Sequence, residues 1–122
     1  MLAAAYPVAT LRRVVEEYSP QQVADQLEHD AVQLVDVREK HEVEAGRIAG
    51  SVHIRLMDLP THTEEIDRTR PVVFYCRSGA RSAMATEAFI RAGFKAHNMA
   101  GGLLDWEAAG LPLEPDGGYV AG

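Results

Sequence analysis

The sequence predicts an α/β fold with a central, mostly parallel sheet flanked by helices. Apolar β-rich runs alternate with helical patterns in the order helix, strand, helix, strand, helix, strand, helix. The run from Val72 to Tyr75 is continuously apolar, which is typical of a strand buried on both faces of a parallel sheet. With 122 residues, the chain is long enough for one domain with one hydrophobic core.

The first predicted element is a capped helix. Ser19 has the properties of an N-cap, Pro20 of a first helical residue, and Gln22 of the reciprocal partner in a capping box. The helix is predicted to run to about Glu28. The elements predicted to follow are a strand over 32–37, a helix over 39–45, a short strand over 51–54 and one or two helical turns over 61–66.

The second half of the chain alternates in the same way after the strand at 72–75. A helical pattern begins at Ala83 and is closed by Gly93, and the last helix is followed by Gly110, a residue suited to the C′ position. The glycine-rich sequence after Leu113 is predicted to fray. The predicted elements are therefore a helix over 83–92, a strand over 95–99 and a helix over 103–109.

Composition excludes several classes of function. The net charge of −6 argues against a nucleic-acid partner. No apolar run approaches the ~20 residues of a membrane span. Arg12 and Arg13 follow the apolar N-terminal stretch, whereas a secretory signal has its positive charges first. A single cysteine excludes an internal disulfide, and a free thiol without an export signal predicts a cytoplasmic protein.

That single cysteine, Cys76, lies where an anion is favoured. It follows the apolar strand and precedes a small loop of serine, glycine and arginine that leads into a helix. Ligands of parallel sheets bind beyond the carboxyl ends of the strands. Backbone N–H groups and the helix dipole at such a place lower cysteine pKa values to roughly 3.5–7.5. An inert buried cysteine is the alternative, but it does not require these loop residues.

The loop residues around Cys76 have predicted roles of their own. Gly79 can adopt a positive φ, so that the backbone N–H groups of residues 77–82 point inward as an anion nest. The two arginines carry forked donors that suit oxyanions. The two serine hydroxyls either bond the sulfur or cap the helix, and for Ser82 the cap is favoured. The expected site is catalytic Cys76 with substrate-binding Arg77, Ser78, Gly79, Ala80, Arg81 and Ser82.

A second charged group precedes the cysteine in the sequence. Asp36 lies in an apolar strand, where an unpaired carboxylate is costly. With Arg38 and Glu42 it is predicted to form a structural ion-pair network that holds the loops, and a direct catalytic role for Asp36 is the less favoured alternative. The histidines show no metal-ligand spacing, so neither a metal nor a cofactor is expected.

The cysteine loop resembles the active-site loop of the rhodanese (sulfurtransferase) family. The resemblance covers about Tyr18 to Leu113, although Arg47 and Ala49 stand where the family usually has His and Pro. It implies a rhodanese-like three-layer fold over 18–113, an N-terminal extension over 1–17 and a C-terminal tail over 114–122. The other matching segments are Ser19-Pro20, the signature within 34–54 and the signature within 98–112.

By this resemblance, the chain is a sulfurtransferase of the thiosulfate sulfurtransferase type. Cys76 attacks the sulfane sulfur of thiosulfate or a related donor, sulfite leaves, and a thiol or cyanide takes the sulfur from the Cys76 persulfide. The implied partners are this small-molecule donor and a thiol acceptor, with no nucleic acid and no membrane. A persulfide relay or binding module that acts with a partner protein is the alternative.

Loop length bears on a third class, the cysteine phosphatases and arsenate reductases. Cysteine phosphatases, including cell-cycle phosphatases that share the rhodanese fold, place an arginine six positions after the cysteine, whereas Arg81 is five positions after Cys76. A phosphate is larger than a single sulfur atom and needs the longer loop. The shorter loop therefore favours sulfur transfer, and the absence of a second cysteine argues against an arsenate reductase.

Overall fold

The computed structural model describes residues 17–122 as a five-stranded parallel sheet with helices against both faces. The predicted N-terminal extension lies outside the described residues except for Glu17. The strands are β1 (Glu17–Tyr18), β2 (Gln33–Asp36), β3 (Val52–His53), β4 (Val72–Tyr75) and β5 (Ala96–Met99). The helices are α1 (Pro20–Glu28), α2 (Lys40–Ala45), α3 (Ala80–Arg91) and α4 (Gly102–Ala108), with 3₁₀ helices at Leu56–Thr61 and Thr63–Glu65.

Strand β4 occupies the middle of the sheet, whose strand order is β1-β5-β4-β2-β3. Its side chains alternate between two hydrophobic cores. Val72 and Phe74 pack on the side of α3, whereas Val73 and Tyr75 pack on the side of α1 and α4. The sheet is thus the middle of three layers, as predicted, and the carboxyl end of β4 lies at the centre of one sheet edge.

Most predicted elements are present within a residue or so of their predicted bounds. The α1 capping box is confirmed, because the Gln22 N–H donates to Ser19 Oγ at 3.1 Å and the Ser19 N–H donates to Gln22 Oε1 at 2.8 Å. The 3₁₀ segment starts at Leu56, earlier than the predicted turns, and the two-residue strand β1 was not predicted. In residues 17–122, no helix has the length and apolar character that crossing a membrane requires.

Helix α3 begins at Ala80, three residues before the predicted start at Ala83. Its N-cap is Gly79, with φ 102° and ψ −9°, so the predicted cap at Ser82 is wrong. Glycine adopts this positive φ without steric cost, which lets the chain turn directly into the helix. Ser82 is consequently a fully buried residue of the first turn, on the side of the preceding cysteine.

The segment 114–122, predicted to fray, instead packs against the domain. The backbones of Arg47 and Glu114 form an antiparallel bridge with hydrogen bonds of 2.9 and 2.8 Å, and their side chains form an ion pair. The Tyr119 N–H donates to the Ala45 carbonyl at 2.9 Å. A β-carbon at Gly46 would lie 2.6 Å from the Tyr119 carbonyl oxygen. The prediction failed because glycine content does not reveal these distant partners.

Candidate active site

Cys76 lies immediately after β4 and is only 1% exposed. Its Sγ accepts hydrogen bonds from the Gly79 N–H at 3.1 Å and from the Ser82 N–H at 3.4 Å. The Ser82 hydroxyl donates a third hydrogen bond at 3.4 Å. The loop therefore forms a nest of donors around one sulfur atom, and the helix start of α3 supplies part of it.

These donors favour the anionic form of the sulfur. Burial by itself raises the pKa of the Cys76 thiol, but the hydrogen bonds from the Ser82 hydroxyl and from the N–H groups of Ser82, Gly79 and Ser78 outweigh it. The pKa of Cys76 is therefore held below its ordinary value. Since most of these donors are backbone groups fixed by the turn, they need no rearrangement to stabilise a thiolate.

Arg81 of the loop is bound by a carboxylate from α2. Its Nη1 and Nη2 donate to the two carboxylate oxygens of Glu42 at 2.8 and 2.9 Å. The Glu42 side chain is 5% exposed and that of Arg81 is 35% exposed. The hydrogen bond from Arg81 is the main reason why the pKa of Glu42 is lowered to about 2. This ion pair ties α2 to the first turn of α3.

Asp36 and Arg38 form a separate ion pair at the end of β2, and both residues are fully buried. Arg38 Nη2 donates to Asp36 Oδ2 at 2.8 Å and to the Gly46 carbonyl at 2.8 Å. This matches the structural role predicted for the pair. The third predicted member, Glu42, has Arg81 as its side-chain partner, which the sequence analysis did not anticipate.

The first residues of helix α4 donate hydrogen bonds to the backbone of the cysteine loop, a contact that the sequence analysis missed. The N–H groups of Leu103 and Leu104 donate to the carbonyls of Cys76 at 2.8 Å and of Arg77 at 3.0 Å. This approach requires Gly102, whose φ is 62°, because a β-carbon there would lie 2.5 Å from the Arg77 carbonyl oxygen. The sequence signal for it is the pair of glycines, Gly101 and Gly102, at the start of α4.

The remaining predicted site residues lie at the rim of the loop. Ser78 and Ala80 are exposed. Arg77 is half-buried, and its Nε donates to the carbonyl of Ala121 at 3.2 Å. Among residues 17–122, no carboxylate forms an ion pair with Arg77, and no cluster of His, Cys, Asp and Glu side chains is arranged to hold a metal ion.

The family model of the rhodanese-like domain matches residues 19–109. This chain belongs to the rhodanese-like domain family. The rhodanese-like chain is 38% identical over 99 residues to the putative sulfurtransferase YtwF of Bacillus subtilis, covering 80% of this chain and 96% of that protein. It is 27% identical over 99 residues to the thiosulfate sulfurtransferase GlpE of Actinobacillus pleuropneumoniae, covering 80% and 92%. A rhodanese-related protein from Thermoplasma volcanium has a similar solved structure, with a TM-score of 0.75, 26% identity and coverage of 80% and 96%.

In this rhodanese-like domain, we expect Ser82→Ala to raise the pH midpoint of Cys76 alkylation by about one unit. The variant loses the hydroxyl donor to the thiolate, and the lower end of the range for a hydrogen bond to a charged group, about 1.5 kcal/mol, suits this 3.4 Å contact and corresponds to about one pKa unit. The measurement is the rate of iodoacetamide alkylation against pH. Ser78→Ala is the matched control, because that side chain is exposed. Equal midpoints for Ser82→Ala and the wild type would contradict the expectation.

The Glu42–Arg81 ion pair predicts a pH-dependent stability. The pKa of Glu42 is lowered from 4.5 to about 2 on folding, so its contribution is present above pH 4.5 and is lost as the pH falls towards 2. Glu42→Gln should lower the free energy of unfolding by about 2 kcal/mol at neutral pH, with a smaller difference in acid. Denaturant unfolding across this pH range tests it. Glu44→Gln, in the exposed Lys40–Glu44 pair of the same helix, should show no such dependence.

Proposed function

We propose that this chain is a sulfurtransferase that carries a sulfane sulfur as a persulfide on Cys76. The observation that carries the proposal is the Cys76 sulfur surrounded by three donors at 3.1–3.4 Å. Such a cradle stabilises an anionic sulfur and is matched to a single sulfur atom. The similarity to proteins named sulfurtransferase over four-fifths of the chain supports the same reaction class.

The proposed reaction has two half-reactions. The Cys76 thiolate attacks the outer sulfur of thiosulfate, a new S–S bond forms, and the old S–S bond breaks with its electron pair leaving on sulfite. An acceptor thiolate or cyanide then attacks the outer sulfur of the persulfide, and Cys76 leaves as a thiolate. A stabilised thiolate serves both as nucleophile and as leaving group, and the kinetics should be ping-pong.

Mass spectrometry of the intact protein after incubation with thiosulfate tests this proposal. We expect a gain of one sulfur atom, which cyanide removes with formation of thiocyanate and which Cys76→Ser does not acquire. If thiosulfate loads sulfur onto Cys76 much more slowly than sulfur passes between Cys76 and another protein, the persulfide relay module is favoured instead. If the protein hydrolyses aryl phosphates faster than it transfers sulfur, and if this hydrolysis depends on Cys76, the chain is a phosphatase and the proposal is refuted.

Arg77 is the arginine that we expect to select anionic donors. The guanidinium of Arg81 already donates two hydrogen bonds to the carboxylate of Glu42. Within residues 17–122, the side chain of Arg77 has only the neutral carbonyl of Ala121 as its partner. Arg77→Ala should lower kcat/KM for thiosulfate by about ten- to a hundredfold, because a charged hydrogen bond is worth about 1.5–3 kcal/mol. Arg77→Lys should keep most of the activity. An equal loss with a neutral sulfane donor would mean that Arg77 only shapes the loop.

A further inference from the structure

Asn98 is a buried amide on β5 that contacts the cysteine loop. The residue is 2% exposed. Its Nδ2 donates to the carboxylate of Glu17 at 3.0 Å and to the carbonyl oxygen of Gly79 at 3.2 Å. Because both partners can only accept hydrogen bonds, the orientation of the amide group is determined.

The carbonyl oxygen of the same amide is buried, which lowers the stability of the fold. Within residues 17–122, Asn98 Oδ1 has no hydrogen-bond donor, and an unpaired buried carbonyl oxygen lowers stability. Other β5 positions carry buried apolar side chains, Ala96 and Met99. A buried amide with an unpaired oxygen, on a strand whose other buried side chains are apolar, indicates a role other than packing.

Gly79 is the residue through which Asn98 reaches the sulfur. The Gly79 N–H makes the shortest hydrogen bond to Cys76 Sγ, at 3.1 Å. Glycine has wide conformational freedom, so the direction of its N–H depends on what holds the neighbouring atoms. The Asn98 amide and the Ala83 N–H both bind the Gly79 carbonyl, and together they restrict rotation of this part of the loop.

We propose that Asn98 is a positioning residue for Cys76, whose amide holds the Gly79 carbonyl so that the Gly79 N–H stays directed at the sulfur. The catalytic consequence rests on the proposed function, but the effect on the thiolate does not. A substitution of Asn98 leaves in place the charged groups on the elements around the loop, which are Asp36, Arg38, Glu42, Arg77, Arg81 and Asp105.

The test is the pH dependence of Cys76 alkylation by iodoacetamide in Asn98→Leu. We expect the midpoint to rise by about half a unit to one unit, which slows alkylation below the midpoint about three- to tenfold. With thiosulfate, kcat/KM should fall by a similar factor below the wild-type midpoint and recover above the midpoint of the variant. Asn98→Ser, which is smaller and polar, removes the same donor and provides the measurement if Asn98→Leu does not fold.

Glu17→Ala is the matched control, because it removes the other partner of Asn98 and leaves the hydrogen bond to Gly79 in place. Its alkylation midpoint should equal that of the wild type. An unchanged midpoint in either folded Asn98 variant, or an equal rise in Glu17→Ala, would overturn the assignment. If the alkylation midpoint rises in the Asn98 variants but the wild type forms no persulfide with thiosulfate, the proposed function is refuted, whereas the role of Asn98 in positioning the loop is supported.

Discussion

Replacement of Cys76 by serine should reduce sulfur transfer from thiosulfate by more than about a thousandfold, because no other thiol exists in the chain to carry the sulfur. A serine hydroxyl cannot form a persulfide. It can still accept hydrogen bonds from the Gly79 and Ser82 N–H groups that surround the sulfur. We therefore expect the fold and its unfolding free energy to change little.

The measurement is thiocyanate formation from thiosulfate and cyanide, with the denaturant midpoint recorded for the same samples. Met84→Ser is a useful control, because Met84 is an exposed residue of α3 outside the predicted site and its substitution keeps every donor to Cys76 Sγ. Turnover retained in folded Cys76→Ser would refute the assignment of Cys76 as the sulfur carrier.

Gly102→Ala should have the second-largest effect on activity, although Gly102 lies in another helix. A β-carbon at this position would lie 2.5–2.6 Å from backbone atoms of Arg77 and Cys76, so the loop or α4 must move. The hydrogen bond from the Leu103 N–H to the Cys76 carbonyl is then strained or lost. Misplacement of a reacting group by about 1 Å costs about a hundredfold in rate, and we expect a loss of that order in kcat/KM.

Gly110→Ala provides the matched control at the other end of α4. Gly110 has φ 78° and Gly102 has φ 62°, so alanine meets similar backbone strain at both positions. Among residues 17–122, no atom outside Gly110 and its two chain neighbours lies within 4 Å of a β-carbon at this position. Gly102→Ala should be less stable than Gly110→Ala by about 1–3 kcal/mol, and it alone should lose activity. Similar thiosulfate turnover in the two variants would show that the close approach does not position the loop.

Elements whose signals are local could be predicted from the sequence. The α1 cap depends on residues three positions apart, and the apolar run of β4 shows its burial directly. The start of α3 was placed three residues too late, although the positive φ of Gly79 and a bond from the serine hydroxyl to the sulfur were both considered, because the cap was favoured as the role of Ser82. Propensity favours serine as a cap and does not show that the sulfur takes the hydroxyl hydrogen bond instead.

Contacts between distant parts of the chain account for the other differences. Glu42 and Arg81 are 39 positions apart, and Asn98 and Gly79 are 19 positions apart. The sequence analysis gave roles to Glu42, Gly79 and Arg81 but could not pair them with their partners, since pairing follows from strand order. Nothing in the local sequence indicates that Asn98 faces the loop.

The central position of β4 determines the order in which the molecule opens. The edge strands β1 and β3 have two residues each, whereas all four residues of β4 are buried between two neighbours. Partial opening therefore begins at the edges, and the amides of β4 should exchange with solvent hydrogen last. Because Cys76 is joined directly to that strand, its sulfur keeps its place among its hydrogen-bond donors during such fluctuations, and we expect its reactions with thiosulfate and iodoacetamide to take place in the folded domain.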